Sequence, residues 1–182
     1  ERAKEAFFAK ESNEYEKLYA MKILEEVGDS GAVKALIEIM NDVDQELEFR
    51  KSAAVHLSKI GRPEAVGALL EAAKDWTHPL EWTARASIRD NVRDSRAIPI
   101  LEAAARDTAL PNKVRGEVSH ALAAIQGVER AKEAFFAKES NEYEKLYAMK
   151  ILEEVGDSGA VKALIEIMND VDQELEFRKS AA

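Results

Sequence analysis

Small and apolar residues at Ala3, Ala6 and Phe7 have the spacing of one helical stripe. The same spacing returns at Ala32, Ala35 and Leu36, at Ala65, Ala68 and Leu69, and at Ala97, Ile100 and Leu101. Residues at i, i+3 and i+4 share a face of a 3.6-residue helix, so each group predicts an amphipathic helix. Helices opening near Ala3, Ala32, Ala65, Ala97, Ala131 and Ala160 are separated by 29, 33, 32, 34 and 29 residues. Behind each comes a polar turn and a second apolar stripe, Ala20, Ile23, Leu24 and Val27 in the first unit and Phe49, Ala53, Leu57 and Ile60 in the second. Gly28 and Gly61 stand where a left-handed cap ends a helix. Runs of Val, Ile and Thr with period two are missing, so no sheet is expected. A helix pair repeated every thirty-odd residues predicts an all-α solenoid, a superhelix of stacked antiparallel helix pairs.

A second, longer repeat overlies the first. Residues 1–54 recur as 129–182 without one difference. An old duplication would have drifted at surface positions, where substitutions cost little. The identity therefore points to an engineered tandem or a very recent duplication, with the engineered origin expected. Residues 1–128 read as four repeats, one full period, and 129–182 as an identical copy continuing the same solenoid by about one and a half repeats. Val128 runs into Glu129 with no linker, which predicts that the fifth repeat stacks on the fourth as an ordinary continuation. Such a unit can tile head to tail. The last helix stops at Ala182, before the equivalents of Leu57 and Ile60. An under-covered apolar edge and association between chain ends are expected there. A second reading is a two-frame or domain-swapping switch, in which the two copies compete for one site.

The stretches Asn41-Asp42 to Phe49-Arg50-Lys51-Ser52-Ala53-Ala54 and Arg106-Asp107 to Val114-Arg115-Gly116-Glu117 resemble HEAT repeats of the phycobilisome-lyase type. Asp42, Asp75 and Asp107 share one repeat position and Arg50 and Arg115 another. The resemblance implies a ladder of Asp and Arg hydrogen bonds stitching neighbouring repeats, and a turn Asp can also cap the helix that follows it. The first unit departs, with Asn13 for the Asp and no matching Arg. HEAT-like relatives include bilin-attaching lyase subunits, DNA-alkylation glycosylases and hydroxylases binding two irons through a His-Glu pair after the repeat Arg. Those last positions hold Lys51-Ser52 and Gly116-Glu117 here, and no bilin-handling residue can be matched. The likeness specifies fold far more than function.

Charge narrows the partners. Net charge is -9, and residues 1–54 and 129–182 each carry 8 basic and 13 acidic side chains. Both copies repel a polyanion, so nucleic acid is not an expected partner. Apolar stretches are short and broken by Lys or Glu, so no membrane span is expected. Without cysteine there is no disulfide framework or thiolate site, and a cytoplasmic location is the default. The chain opens at Glu1 rather than Met, as expected where a start or tag has been removed.

Candidate chemistry is sparse. Trp76 and Trp82 flank His78-Pro79-Leu80-Glu81; they can form an aromatic peptide site, although plugging the wider gap of an irregular third repeat is the favoured reading. Pro79 fits the first turn of a helix. Arg85, Arg89 and Arg93, at i, i+4 and i+8, fall on one face of a second helix with Arg96 close behind. Such a row can hold carboxylates or phosphates bidentately unless the interleaved Asp90 and Asp94 use it up. His56 and His120 stand alone in separate repeats, as ordinary surface or core-edge histidines do. Carboxylate pairs such as Glu25-Glu26 lie on lysine-rich faces, where nothing shifts a pKa for catalysis. No catalytic, cofactor or metal residue is expected. The reading is a non-enzymatic scaffold for protein or peptide partners or for head-to-tail self-assembly; the alternative that the resemblance implies is a HEAT-like subunit of a bilin lyase or other ligand-handling complex.

Overall fold

Helix boundaries follow local chemistry closely in the computed structural model, which describes residues 2–137, 142–156 and 158–170. Gly28 and Gly61 hold φ of 56° and 63°. In this left-handed conformation each amide closes the preceding helix onto a carbonyl four residues back. Directly after each glycine the next helix begins. Asp29 accepts a 2.7 Å hydrogen bond from the Ala32 amide, and Pro63 opens its helix where a missing N–H goes unneeded. Asn13 and Glu16 form a reciprocal cap, each side chain bonding the other's amide, at 3.0 and 2.9 Å.

The described residues form α1 (Arg2–Phe8), α2 (Glu14–Val27), α3 (Ser30–Asn41), α4 (Leu47–Ile60), α5 (Pro63–Lys74), α6 (Glu81–Asn91), a 3₁₀ turn (Ser95–Ala97), α7 (Ile98–Arg106), α8 (Asn112–Phe136), α9 (Glu142–Val155) and α10 (Ser158–Asn169), with no strand among them. Contacts divide the chain into two units, one up to Ala121 and one from Leu122. In the first unit α1 pairs with α2, α3 with α4 and α5 with α6. The pairs stack in chain order. First helices adjoin, α3 on α5 and α5 on α7, and second helices adjoin, α2 on α4 and α4 on α6. Lys4 reaches Glu38 at 2.6 Å and ties α1 to α3. Phe7, Leu36, Ile39, Leu57, Leu69, Leu80, Ile88 and Leu101 are fully enclosed. A stripe that no single hairpin can hide is thus hidden by its neighbour.

The second unit reuses the same letters. Helices α9 and α10 have the bounds of α2 and α3 shifted by the copy interval, and Gly156 repeats the left-handed cap at φ 58°. Phe135 is enclosed as Phe7 is, with Val128, Ala131, Ala148, Leu152, Ala160 and Ile167 around it. Phe135 and Phe136 meet edge to face at 5.2 Å and 76°, where Phe7 and Phe8 meet at 5.1 Å and 78°.

One boundary differs from the sequence reading. Instead of a turn before the helix expected at Ala131, α8 runs unbroken through Gly127, Val128 and Glu129. Gly127 lacks the positive φ of the other caps, and neither a proline nor a capping Asp, Asn or Ser follows it as after Gly28 and Gly61. One glycine in good helical company costs about 1 kcal/mol, too little to break the helix. The segment expected to run on to Ala182 lies outside the described residues.

Candidate interaction surface

The three aspartates of the expected ladder share one geometry and a different task. Asp42, Asp75 and Asp107 each end a first helix, with ψ of 105°, 107° and 104°. Each carboxylate accepts from the amide two residues on, at 3.0 Å from Asp44, 2.9 Å from Thr77 and 2.9 Å from Ala109. Each carbonyl accepts from the amide three residues on, at 3.1, 2.9 and 3.2 Å. This is an Asx-turn followed by a backbone turn, and it folds the hairpin corner. The Thr77 hydroxyl and amide hold the Asp75 carboxyl below its usual range. Arg50 Nε donates to the Met40 carbonyl at 2.9 Å inside its own hairpin, and Arg115 donates to Asn112 in its own helix at 2.5 Å. The bonds stitch within repeats, not between them, and the Asp ends the preceding helix rather than capping the next. Asn13, in the equivalent place, does cap the following helix.

The arginine row is interrupted. Helix α6 closes at Asn91, so Arg93 stands past its end and turns back, Nη1 donating to the carbonyls of Arg89 and Val92 at 2.9 and 2.8 Å. Terminal carbonyls lack helical partners, and a nearby guanidinium satisfies them. Arg85 bridges Glu81 at 3.0 Å and Glu117 of α8 at 2.9 Å. Arg89 forks onto Asp90 at 2.6 and 2.8 Å and lies 3.6 Å from Glu117. Arg96 is held by both oxygens of Asp94, at 2.6 Å for the closest contact. These partners lower the Asp90 carboxyl and raise the Arg89 and Arg96 guanidinia. Arg85 and Arg89 thus tie α6 to α8 through Glu117, while Arg93 and Arg96 bond close to their own place in the chain.

The tryptophans depart further from expectation. Trp76 is 86% exposed and Trp82 68% exposed. Neither plugs the third repeat. Leu80, fully buried between them, fills that space. Pro79 sits inside the turn closed by the 3.0 Å bond from the Glu81 amide to the His78 carbonyl, ahead of the helix rather than in its first turn. Proline suits the second place of such a turn. The His78 ring accepts from the Leu80 amide at 3.2 Å. The result is a hydrogen-bonded corner that leaves two large rings in water.

Elsewhere, His56 of α4 pairs with Glu25 of α2, and Lys59 approaches the same carboxylate at 3.6 Å. Among the described residues no three His, Asp or Glu converge as metal ligands, and no helix is long and apolar enough to cross a membrane. A cavity of about 640 Å³ opens between α1 and α2, floored by Ala3, Ala6, Ala20 and Ile23 with Tyr19 and Glu16 at its side.

This architecture has a match among known families. Residues 5–89 fit the family model described as HEAT repeats. That stretch is built of HEAT repeats. Residues 133–182 carry the same letters as 5–54 of the HEAT stretch. A structure of human deoxyhypusine hydroxylase in complex with glycerol is 16% identical with a TM-score of 0.49, over 99% of this chain and 70% of that one. The complex of CpcE and CpcF of phycocyanin lyase from Nostoc sp. PCC7120 is 18% identical with a TM-score of 0.44, over 98% of this chain and 73% of that one. No curated protein matches the sequence.

Proposed function

We propose that this chain is a non-enzymatic HEAT-repeat scaffold that binds a protein or peptide through the corner carrying Trp76 and Trp82. The exposure of these two rings carries the reading. Large rigid aromatics contribute much contact area at little conformational cost, and they recur at binding hot spots. The backbone between them is held by the turn at Pro79, closed by the bond from the Glu81 amide to the His78 carbonyl. The arginines favour the same reading by their engagement: their partners lie within the chain, leaving apolar contact as the main resource of the face.

Panning a peptide library on the full chain and on the Trp76→Ala/Trp82→Ala double variant tests this. Both rings are exposed, so the variant is expected to fold as the parent does. Peptides are expected to enrich on the parent and to lose at least tenfold in affinity on the variant. Equal enrichment on both would overturn the assignment.

A further inference from the structure

The residue after each corner aspartate stands in water. Val43 is 78% exposed and Trp76 86% exposed, and Thr108 is exposed as well. Their corners close with the same two hydrogen bonds, and the aspartates share ψ of 104° to 107°. The three side chains therefore leave their corners alike. Within the first unit, α3 adjoins α5 and α5 adjoins α7, and the corners close the C-terminal ends of these helices. Packed helices lie about 8–10 Å apart. Val43, Trp76 and Thr108 thus form a row with one member per repeat at about that spacing. The two ends of the row differ in charge. Asp44 and Glu46 are exposed at the first corner, Arg106 and Lys113 around the third.

We propose that this row binds a proline-rich segment in the polyproline II conformation, laid across the corners with every third side chain on the row. Its basic end lies toward Asp44 and Glu46, and its acidic end toward Arg106 and Lys113. Period decides the conformation. Polyproline II repeats a face every three residues, or about 9 Å, which matches one repeat of the row. A β-strand repeats a face every two residues, about 6.6 Å, and falls out of step. A strand would also need a sheet edge to pair with, and the described residues contain no strand. Proline-rich segments dock on exposed aromatic surfaces and are extended before they bind, so they lose little order. The inference rests on the reading of Trp76 and Trp82 as a binding corner. It adds the kind of partner and a further contact residue, Val43.

The probe is a fluorescent peptide with leucine at every third position among prolines, a pair of lysines at one end and a pair of glutamates at the other. Titrated against the full chain by anisotropy, it should bind, and Trp76→Ala or Val43→Glu should each weaken it about tenfold or more. Both positions are exposed, and circular dichroism should show the parent's helicity. Moving the leucines to every fourth position at the same composition should cost as much. Lys113→Glu should weaken the charged peptide several-fold and leave an uncharged peptide of the same core unaffected. No binding by the parent, equal affinity for the two spacings, or unchanged binding of the charged peptide to Val43→Glu or Lys113→Glu would each overturn the inference. Library peptides that depend on Trp76 and Trp82 but ignore Val43 and the spacing would leave the binding corner standing and remove the row. Library peptides that ignore the tryptophans would remove both.

Discussion

Arg85 reaches across from α6 to Glu117 on α8, 2.9 Å away and 32 positions along the chain. Both side chains are largely shielded from water, at 17% and 16% exposure, and Arg89 approaches the same carboxylate. Glu117→Ala leaves two guanidinia without this partner, and charged hydrogen bonds of this kind are worth about 2 kcal/mol each. A loss of about 2 kcal/mol in urea unfolding is expected, with Glu117→Gln falling between. Destabilisation below about 0.5 kcal/mol would mark the bridge as an ordinary surface pair.

Gly61 and Gly28 share a left-handed conformation but not a neighbourhood. A Cβ on Gly61 would lie 2.8 Å from the Asp94 Cβ, whereas one on Gly28 meets nothing nearer than the Glu25 carbonyl oxygen at 3.3 Å. Backbone strain alone costs alanine roughly 1–2 kcal/mol at such a position. Gly28→Ala should cost about that much. Gly61→Ala should cost more, because a backbone-proximal atom of another repeat has to move. Thermal melts of the two variants would settle the order, and equal losses would show that the Asp94 link yields freely.

Phe7 and Phe135 occupy one position in the two copies, each with a lysine over its ring, at 5.4 and 5.5 Å. Truncating an enclosed phenylalanine to alanine costs about 3–5 kcal/mol. Each loss should stay within its own unit. Hydrogen exchange should speed up across α1–α4 in Phe7→Ala and across α9–α10 in Phe135→Ala. Opposite responses, one variant protecting what the other exposes, are instead the signature of two copies competing for one seat.

Much of this order was legible in the residues. The stripes at Ala3, Ala32, Ala65, Ala97, Ala131 and Ala160 each fall in or against a helix, and Gly28 and Gly61 end helices because few other residues accept that φ. What escaped was decided by partners distant in sequence. Nothing adjacent to Arg85 announces Glu117. Trp76 and Trp82 read as gap fillers because bulk usually packs, yet the smaller Leu80 already fills the gap. Arg93 keeps the i+8 spacing from Arg85, but Asn91 ends the helix first. The unbroken α8 shows the same limit in reverse: repeat phase predicted a turn near Ala131, while turn chemistry was missing.

Acid should act through the paired carboxylates. Arg89 lowers the Asp90 carboxyl, Thr77 lowers that of Asp75, and the amide hydrogen bond of Glu64 lowers its own. A depressed carboxylate adds stability that is whole above its unfolded pKa and is lost as pH falls through the folded one. Stability should therefore hold from neutral pH down to the ordinary carboxylate range and decline below it. Asp90→Asn should flatten the decline measured by urea unfolding. An unchanged acid limb would show that the Arg89 fork contributes nothing at neutral pH.

The corners at Asp42, Asp75 and Asp107 share the same two turn hydrogen bonds, although the residues after each aspartate differ. A common corner makes the hairpins interchangeable modules. Cutting and rejoining the gene at any two of these aspartates should delete or insert a whole repeat while leaving each junction with a fold it already knows, so the length of the array becomes a matter of splicing rather than of redesign.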